Sequence, residues 1–317
     1  MDVTFQNFHQ LATSFPGAGI VKVYEKIRHW LNSNSKRQAR KNISYHYDMG
    51  NDFYKLWLDK TMTYSSAFFE TDQVSLQDAQ TKKYSQMCDE IGVKEGDHIL
   101  EIGCGWGGFA KFAAEKYGVT VHGVTVSKEQ MNFAKKSCEG LKTSFELRDY
   151  RDLDAKYDAI VSIGMFEHVG YKNYKTFMNV ANRCLTDDGL FLLHTIGRNT
   201  PGFSTDPWTN KYIFPNGMTP SSSQISEALQ GFFVVEDWHN FGQDYDTTLM
   251  SWNENFQKNF DSLTGNYDER FKRMWEYYLL MCAGTFRSRR NQLWQLVMSK
   301  NGVKGGYNYK NNPRFNN

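Results

Sequence analysis

The sequence lacks paired cysteines, a signal sequence, a membrane-spanning run and a strong net charge. Its five cysteines are scattered without any CxxC pair, which excludes the usual disulfide and zinc spacings and favours a reducing cytoplasm. The N-terminus has no charged-then-apolar pattern, and no uncharged apolar run is long enough to cross a bilayer. A formal charge of +2 over 317 residues does not indicate a nucleic-acid partner. We expect a cytoplasmic protein that at most binds a membrane surface.

Aromatic residues, by contrast, are abundant and make up 15% of the chain. Rings in this number either fill a bulky core or line a deep pocket for an apolar or cationic ligand. Composition alone favours the core. The length suits one large domain with an appendage.

The N-terminal segment combines a helical apolar pattern with basic side chains. Apolar residues recur at helical spacing over 19–31. Between residues 22 and 41, seven basic residues stand against one acid, Glu25, a local excess of six. Such a segment either lies on anionic lipid or packs on the main domain and continues into a solvated basic linker. The sequence leaves both open.

From residue 98 onward, predicted strands alternate with helices. The predicted strands are 98–103, 119–126, 144–150, 158–166, 189–197, 231–239 and 292–300. Helices are predicted to end at Gly118, to begin at Ser127, and to span 173–184. This alternation predicts an α/β fold with a doubly wound, mostly parallel seven-stranded sheet. The stretches 40–95, 198–230 and 240–290 are then expected to cover the active edge of that sheet.

A glycine-rich stretch, EIGCGWGG (101–108), joins the first strand to its helix. Gly103, Gly105 and Gly107 permit a tight turn and let a ligand approach the backbone closely. The alternative is a turn that serves packing only.

The second strand and its loop, VHGVTVSKEQ (121–130), show whether the sequence has the pattern of a dinucleotide-binding site. Such a site should carry an acid about 20 residues after the glycine loop to bind the ribose, but the first acid here is Glu129. Thr125 and Gln130 are neutral groups able to bind ribose hydroxyls. Gln130 is also placed to cap its helix with Ser127, and the two roles can coexist.

Two further parts of the sequence are suited to opposite ends of a bound ligand. Glu101 precedes the glycine loop and has a charge suited to a ligand ammonium, acting through the loop or water. RDYRDL (148–153) places Asp149 and Tyr150 where an adenine could be held by a hydrogen bond and ring stacking. These features fit S-adenosylmethionine better than NAD.

Ten stretches, in order, together resemble the cyclopropane-fatty-acyl-phospholipid synthases and cover about residue 40 to residue 300. They are YHYDMGNDFY, MTYSSAFF, EIGCGWGG, GVTVSKEQ, RDYRDL, SIGMFEHVG, LLHTIG, DPWTNKYIFPNG, DWHNFGQDYDTTL and YYLLMCAGTFRSRRNQLWQ. The resemblance implies a Rossmann-like class I methyltransferase fold. It implies a basic helix and linker at 1–41, a methyltransferase domain at 42–300 with lipid-binding insertions at 198–230 and 240–290, and a flexible tail at 301–317.

The resemblance also implies an activity. The methyl of S-adenosylmethionine passes to the cis double bond of a phospholipid acyl chain, and a base then removes a proton so that a cyclopropane ring closes. Positioning and exclusion of water must supply much of the acceleration, and aromatic faces can stabilise the cation. The family's base is bound bicarbonate. Peripheral binding to the inner face of the membrane and a homodimer are implied as well, although no pattern in the sequence itself indicates the dimer.

The bicarbonate pocket of the family matches Glu167, His194, Ile196 and Tyr245. His194 and Tyr245 would donate to the anion. Glu167 would accept a proton from it or order its donors, since two bare anions repel. His168, beside Glu167, is left open between a role in the site and a structural one.

Of two more catalytic candidates, Ser66 departs from the family pattern and Cys282 matches it. Ser66 stands where the family has a cysteine: this is harmless if the backbone binds the anion, and the hydroxyl could add a donor, but the site is weaker if the thiol matters. Cys282 matches a cysteine once suspected of catalysis, and we expect it to be structural or to line the pocket instead. The residues expected to bind S-adenosylmethionine are Tyr64, Ser65, Glu101, Gly103, Gly105, Thr125, Val126, Gln130, Asp149, Tyr150 and Arg151.

Other functions compete with this one. Within the methyltransferases, the chain could methylate a small amine, or an acyl chain without ring closure. From other classes, an NAD-dependent reductase is opposed by the missing acid, and a lipid carrier would not need the glycine loop.

Overall fold

The computed structural model describes residues 34–47, 49–71, 73–203, 205–263 and 267–308. The helix predicted at 19–31 lies outside these ranges. Residues 36–41, part of the basic segment interpreted as a linker, instead begin a helix that runs to Tyr47. The division of the chain at residue 41 stays a prediction.

A seven-stranded sheet forms the centre of the molecule. Its strands are β1 (His98–Ile102), β2 (Thr120–Thr125), β3 (Thr143–Leu147), β4 (Tyr157–Ile163), β5 (Leu185–Arg198), β6 (Val234–Asn240) and β7 (Asn291–Ser299). They lie in the order β3-β2-β1-β4-β5-β7-β6. The pairs from β3 to β5 are parallel, and β7 is antiparallel to both of its neighbours. The predicted mostly parallel sheet is confirmed.

Ten α-helices of the described residues surround or cover the sheet. They are α1 (Lys36–Tyr47), α2 (Asn51–Lys55), α3 (Leu76–Glu90), α4 (Gly108–Tyr117), α5 (Lys128–Ser137), α6 (Tyr174–Cys184), α7 (Pro207–Tyr212), α8 (Ser222–Leu229), α9 (Gly242–Asn259) and α10 (Glu269–Arg287). α4 ends at Gly118 in the left-handed conformation, as predicted. The side chain of Ser127 caps α5 by accepting from Gln130 N.

The fifth strand begins several residues earlier than its apolar pattern indicates. β5 starts at Leu185, four residues before the predicted start at residue 189. Its register with β4 shifts between the Leu185 and Leu190 pairs, so the polar residues between them form an irregularity that hides the start of the strand.

Apolar side chains pack on both faces of the sheet because alternate residues of a strand point to opposite sides. Leu100 and Ile102 of β1 join one cluster with residues of α6 and α8, whereas Ile99 joins another with residues of α3 and α4. A third cluster lies in the cover, where α2, α9 and α10 meet, and is built largely of rings. Much of the aromatic excess therefore forms the core of the cover.

Over the described ranges, none of the helices is both long and apolar enough to span a bilayer.

Candidate active site

A cavity opens at the carboxyl ends of β1, β2 and β4, the edge where doubly wound sheets bind their ligands. All eleven residues predicted to bind the cofactor line this cavity: Tyr64, Ser65, Glu101, Gly103, Gly105, Thr125, Val126, Gln130, Asp149, Tyr150 and Arg151. Sequence positions up to 87 residues apart are thus brought to one place. Their individual roles toward a ligand stay predictions.

Two glycines of the turn have different roles: one allows close packing, and the other exposes backbone to the cavity. Gly103 has φ 88°, and a Cβ there would lie 2.7 Å from the Cβ of Met165. Only glycine therefore fits at this position. Gly105 also has positive φ, at 50°, but no heavy atom lies within 4 Å of the place where its Cβ would be. Packing explains Gly103, whereas Gly105 presents bare backbone to the cavity.

Glu101 places an unsatisfied carboxylate oxygen beside that turn. The residue is 3% exposed, and its Oε2 has no hydrogen-bond partner among the described residues. Burial raises the pKa of this carboxyl well above its ordinary value, opposed by the backbone of Ala110 and the charge of Lys83. A buried acceptor without a partner is costly, so this oxygen fits a cationic group of a ligand.

Lys83 is a functional candidate that the sequence analysis missed. Its Nζ donates to Ser65 Oγ at 2.8 Å, and the side chain is buried. Desolvation lowers the pKa of Lys83 to about 7, although Asp59 and Glu101 act in the opposite direction. Nothing in the sequence of α3 marks this lysine, because the helix carries a second one at position 82.

Asp149, predicted to contact an adenine, is also fixed by two hydrogen bonds from a neighbouring arginine. Arg151 donates to both of its carboxylate oxygens, with Nε to Oδ1 at 2.7 Å and Nη2 to Oδ2 at 2.8 Å. Tyr150 packs edge-on against Phe177, and its hydroxyl is buried without a partner among the described residues. The Asp149–Arg151 pair fixes one wall of the cavity.

Gln130 also departs from the expected cap. Its backbone N–H donates to Ser127 Oγ, but its side-chain Oε1 accepts from Thr125 Oγ1 at 3.1 Å. The two neutral groups predicted to bind a ribose therefore contact one another at the cavity wall.

Glu167 follows β4 in a short 3-10 turn, Phe166–His168. Its Oε1 accepts from Ile196 N at 2.6 Å, and its Oε2 is buried without a partner among the described residues. Burial raises the pKa of Glu167 to about 7, opposed by the Ile196 N–H. The carboxyl can therefore be charged or neutral near neutral pH.

His194 lies on β5, two residues before Ile196, so both side chains point to the same face of the strand. Its Nδ1 is 2.9 Å from Gln295 Oε1, and its Nε2 is buried without a partner in the described part of the chain. Burial lowers the pKa of His194 to about 3, with a further contribution from the charge of Lys83. The imidazole is neutral.

The other predicted catalytic residues have different surroundings. Tyr245, at the start of α9, stacks on Phe286 with ring centroids 4.6 Å apart. Ser66 is fully buried, and its hydroxyl donates to Ala67 O at 3.0 Å. The hydroxyl's hydrogen is thus already engaged, so a donation from Ser66 to an anion would first require this contact to break. Burial raises the pKa of the Cys282 thiol to about 12, which opposes a thiolate role.

None of these six residues is among those lining the cavity, although all six lie in the described ranges. They flank it. Ser66 directly follows the cavity residues Tyr64 and Ser65, and Glu167 lies between Met165 and His168, which also line the cavity. The position of His168 at the cavity therefore favours a role in the site over a purely structural one.

Known proteins resemble this chain in sequence. Residues 34–296 match the model of the mycolic acid cyclopropane synthetases. The chain belongs to this family. It is 51% identical to the cyclopropane-fatty-acyl-phospholipid synthase of Escherichia coli over 87% of its own length and 72% of that protein's. It is 36% identical to a probable fatty acid methyltransferase of Pseudomonas putida, over 84% and 71%.

A solved structure shows the same fold. The cyclopropane synthase MmaA2 of Mycobacterium tuberculosis superposes with a TM-score of 0.78 at 30% identity, over 82% of this chain and 98% of that one. The protein is therefore an S-adenosylmethionine-dependent methyltransferase, and the predicted family, class I fold and enzyme class are confirmed.

Proposed function

We propose that this enzyme transfers the methyl of S-adenosylmethionine to the cis double bond of an unsaturated phospholipid acyl chain and closes a cyclopropane ring, with bicarbonate as the base. One observation carries the proposal. Glu167 Oε2 and His194 Nε2 are buried without a partner among the described residues, and Glu167 lies in sequence between Met165 and His168, which line the cavity suited to the cofactor.

The residues of the cavity fit S-adenosylmethionine, which when bound supplies an electrophilic methyl group. Glu101 Oε2 would accept from its ammonium, and the bare backbone at Gly105 would lie against it. Thr125 and Gln130 would bind the ribose. Lys83, which donates to Ser65 Oγ, would hold that hydroxyl in place at the cavity wall.

The residues beside the cavity fit bicarbonate, which when bound supplies the base. Glu167 is fixed by the Ile196 N–H and directs one free oxygen into the protein. His194 presents its Nε2, and both atoms are shielded from water. A small polar ligand would satisfy two groups whose burial is otherwise unfavourable.

Aromatic rings supply the remaining requirement, a dry wall able to stabilise positive charge. Tyr64 lines the cavity and packs within 5.6 Å of Tyr54, Trp57 and Trp252, measured between ring centroids. Its hydroxyl lies 2.7 Å from that of Tyr278. Ring faces in this arrangement would stabilise the cation that forms when an alkene accepts a methyl group. The lipid is expected to enter here from the inner face of the membrane.

A second candidate is acyl C-methylation without ring closure. The relatives favour it as an alternative, because one at 35% identity is named tuberculostearic acid methyltransferase. The likeness to coclaurine N-methyltransferase is at 20% identity and supports the fold alone.

Mass spectrometry of lipids from cells that express the protein tests the proposal. A ring adds the mass of one methylene and removes an ozone-sensitive double bond. A methylene branch adds the same mass but keeps an ozone-sensitive bond. Label from S-adenosylmethionine that enters an added amine but not phospholipid vesicles would overturn the lipid function.

A further inference from the structure

A chain of buried polar contacts leads from His194 away from the cavity to α3. His194 Nδ1 is 2.9 Å from Gln295 Oε1, and Gln295 Nε2 donates to Glu90 Oε2 at 2.6 Å. Gln86 Nε2 donates to the other oxygen of Glu90 at 2.8 Å. All four side chains are at most 3% exposed. His194 and Gln295 are direct cross-strand partners of β5 and β7, so the sheet register sets their contact.

The order of these contacts determines which ring nitrogen carries the hydrogen. An ionised Glu90 only accepts, so the Gln295 side chain must turn its NH₂ group toward Glu90 and its carbonyl toward His194. A carbonyl only accepts, so His194 Nδ1 must donate. A neutral imidazole has one ring hydrogen, which leaves Nε2 with a lone pair.

We propose that Glu90 and Gln295 are positioning residues that hold His194 with its hydrogen on Nδ1, so that Nε2 accepts a hydrogen bond in the anion pocket. The role of this tautomer in catalysis rests on the function proposed above. The assignment of the hydrogen to Nδ1 does not depend on that function. This reverses the expectation that His194 donates to the anion. An oxyanion that retains a hydrogen, as bicarbonate does, matches an acceptor at this position.

The surroundings of Glu90 favour a specific role over simple packing. No lysine or arginine of the described residues pairs with it. Asp89 of its own helix and Asp237 of β6 both disfavour its charge, and burial raises its pKa to about 7. His239 Nδ1 lies 3.8 Å from Glu90 Oε1 and bonds Asp237 through its other nitrogen at 3.2 Å. An uncharged side chain would be less costly to bury here.

The experiment is NMR of the protein labelled with ¹⁵N in its eight histidines, because protonated and bare ring nitrogens differ in chemical shift. The His194 signals are identified by their loss in His194→Gln. At about pH 8, where Glu90 is mostly ionised, the wild-type protein should show the hydrogen on Nδ1 alone.

Two variants test the proposed cause. Glu90→Gln keeps the shape but allows the partner amide to turn, so both tautomers should appear. Turnover should fall about tenfold or more with the KM for S-adenosylmethionine within about twofold. Gln295→Met removes the acceptor and should also release the tautomer. Val297→Ala is the control, because it lies on the same face of β7 and removes only buried volume. It should change neither the tautomer nor turnover.

A wild-type signal with the hydrogen on Nε2 overturns the inference. So does an unmixed Nδ1–H tautomer in both Glu90→Gln and Gln295→Met. The NMR result does not depend on the substrate. If lipid methylation is absent and the tautomer is as described, only the proposed function is wrong.

Discussion

Replacing Glu167 by Gln should make the protein more stable and nearly inactive. The pKa of this buried carboxyl is raised from an ordinary value of 4.5 to about 7. The unfolded chain therefore loses its proton at lower pH than the folded protein does. Folding is penalised increasingly as pH rises from 4.5 to 7, and the full penalty is present above pH 7. The difference between these two pKa values corresponds to about 3 kcal/mol.

The substituted glutamine side chain cannot ionise, so this pH-dependent penalty disappears. Its carbonyl can still accept from Ile196 N, while its NH₂ group replaces Oε2 and costs part of the gain if it has no partner. We expect the stability of Glu167→Gln relative to wild type to improve by about 2–3 kcal/mol between pH 4 and pH 8. Urea unfolding at both pH values measures this difference.

Although Glu167→Gln should be more stable, its turnover should fall. Loss of a group that orders or accepts a proton costs about 10²-fold or more, while binding of S-adenosylmethionine should stay within about twofold because Glu167 does not line the cavity. Glu139→Gln makes the same chemical change at an exposed position and should alter neither quantity. A relative stability that does not change with pH would refute the raised pKa, and full activity would remove Glu167 from the mechanism.

Three further outcomes follow from other parts of the structure. Glu101→Gln should weaken S-adenosylmethionine binding about tenfold by calorimetry, since glutamine keeps an acceptor oxygen but cannot carry the negative charge that a bound ammonium would favour; unchanged affinity would place the ligand ammonium elsewhere. Cys282→Ala should keep turnover within about threefold, because burial raises the thiol's pKa to about 12, and inactivation would restore a catalytic role. If the basic segment at 22–41 binds lipid, sedimentation with anionic vesicles should weaken as salt rises, whereas salt-independent binding would contradict a role for its charges.

The sheet was predictable because its strands carry their own signals. Each buried parallel strand is a short apolar run that ends at a turn or helix cap, and the same residues that make the run also place its carboxyl end at the ligand edge. Glu101 and Asp149 could be assigned to that edge for this reason. The start of β5 could not, because its register irregularity is built from polar residues that look like a loop.

The polar partners of the site were not predictable, and α3 shows why. Gln80, Lys83, Gln86 and Glu90 recur at three- and four-residue spacing, a stripe that usually marks the solvent side of a helix. Here the stripe is buried, since each of these side chains is at most 3% exposed.

The partners of that stripe lie far away in the chain. Gln80 donates to Ser65 O, Lys83 to Ser65 Oγ, and Glu90 accepts from Gln295. Periodicity measures how polarity is distributed along a helix, but not what faces it. A polar stripe can be buried only where other elements supply matching donors and acceptors. Here the partners are Ser65, proposed to bind the cofactor, and Gln295, which contacts His194 of the proposed anion pocket. The burial of α3's polar face is therefore itself a reason to look for the active site beside it.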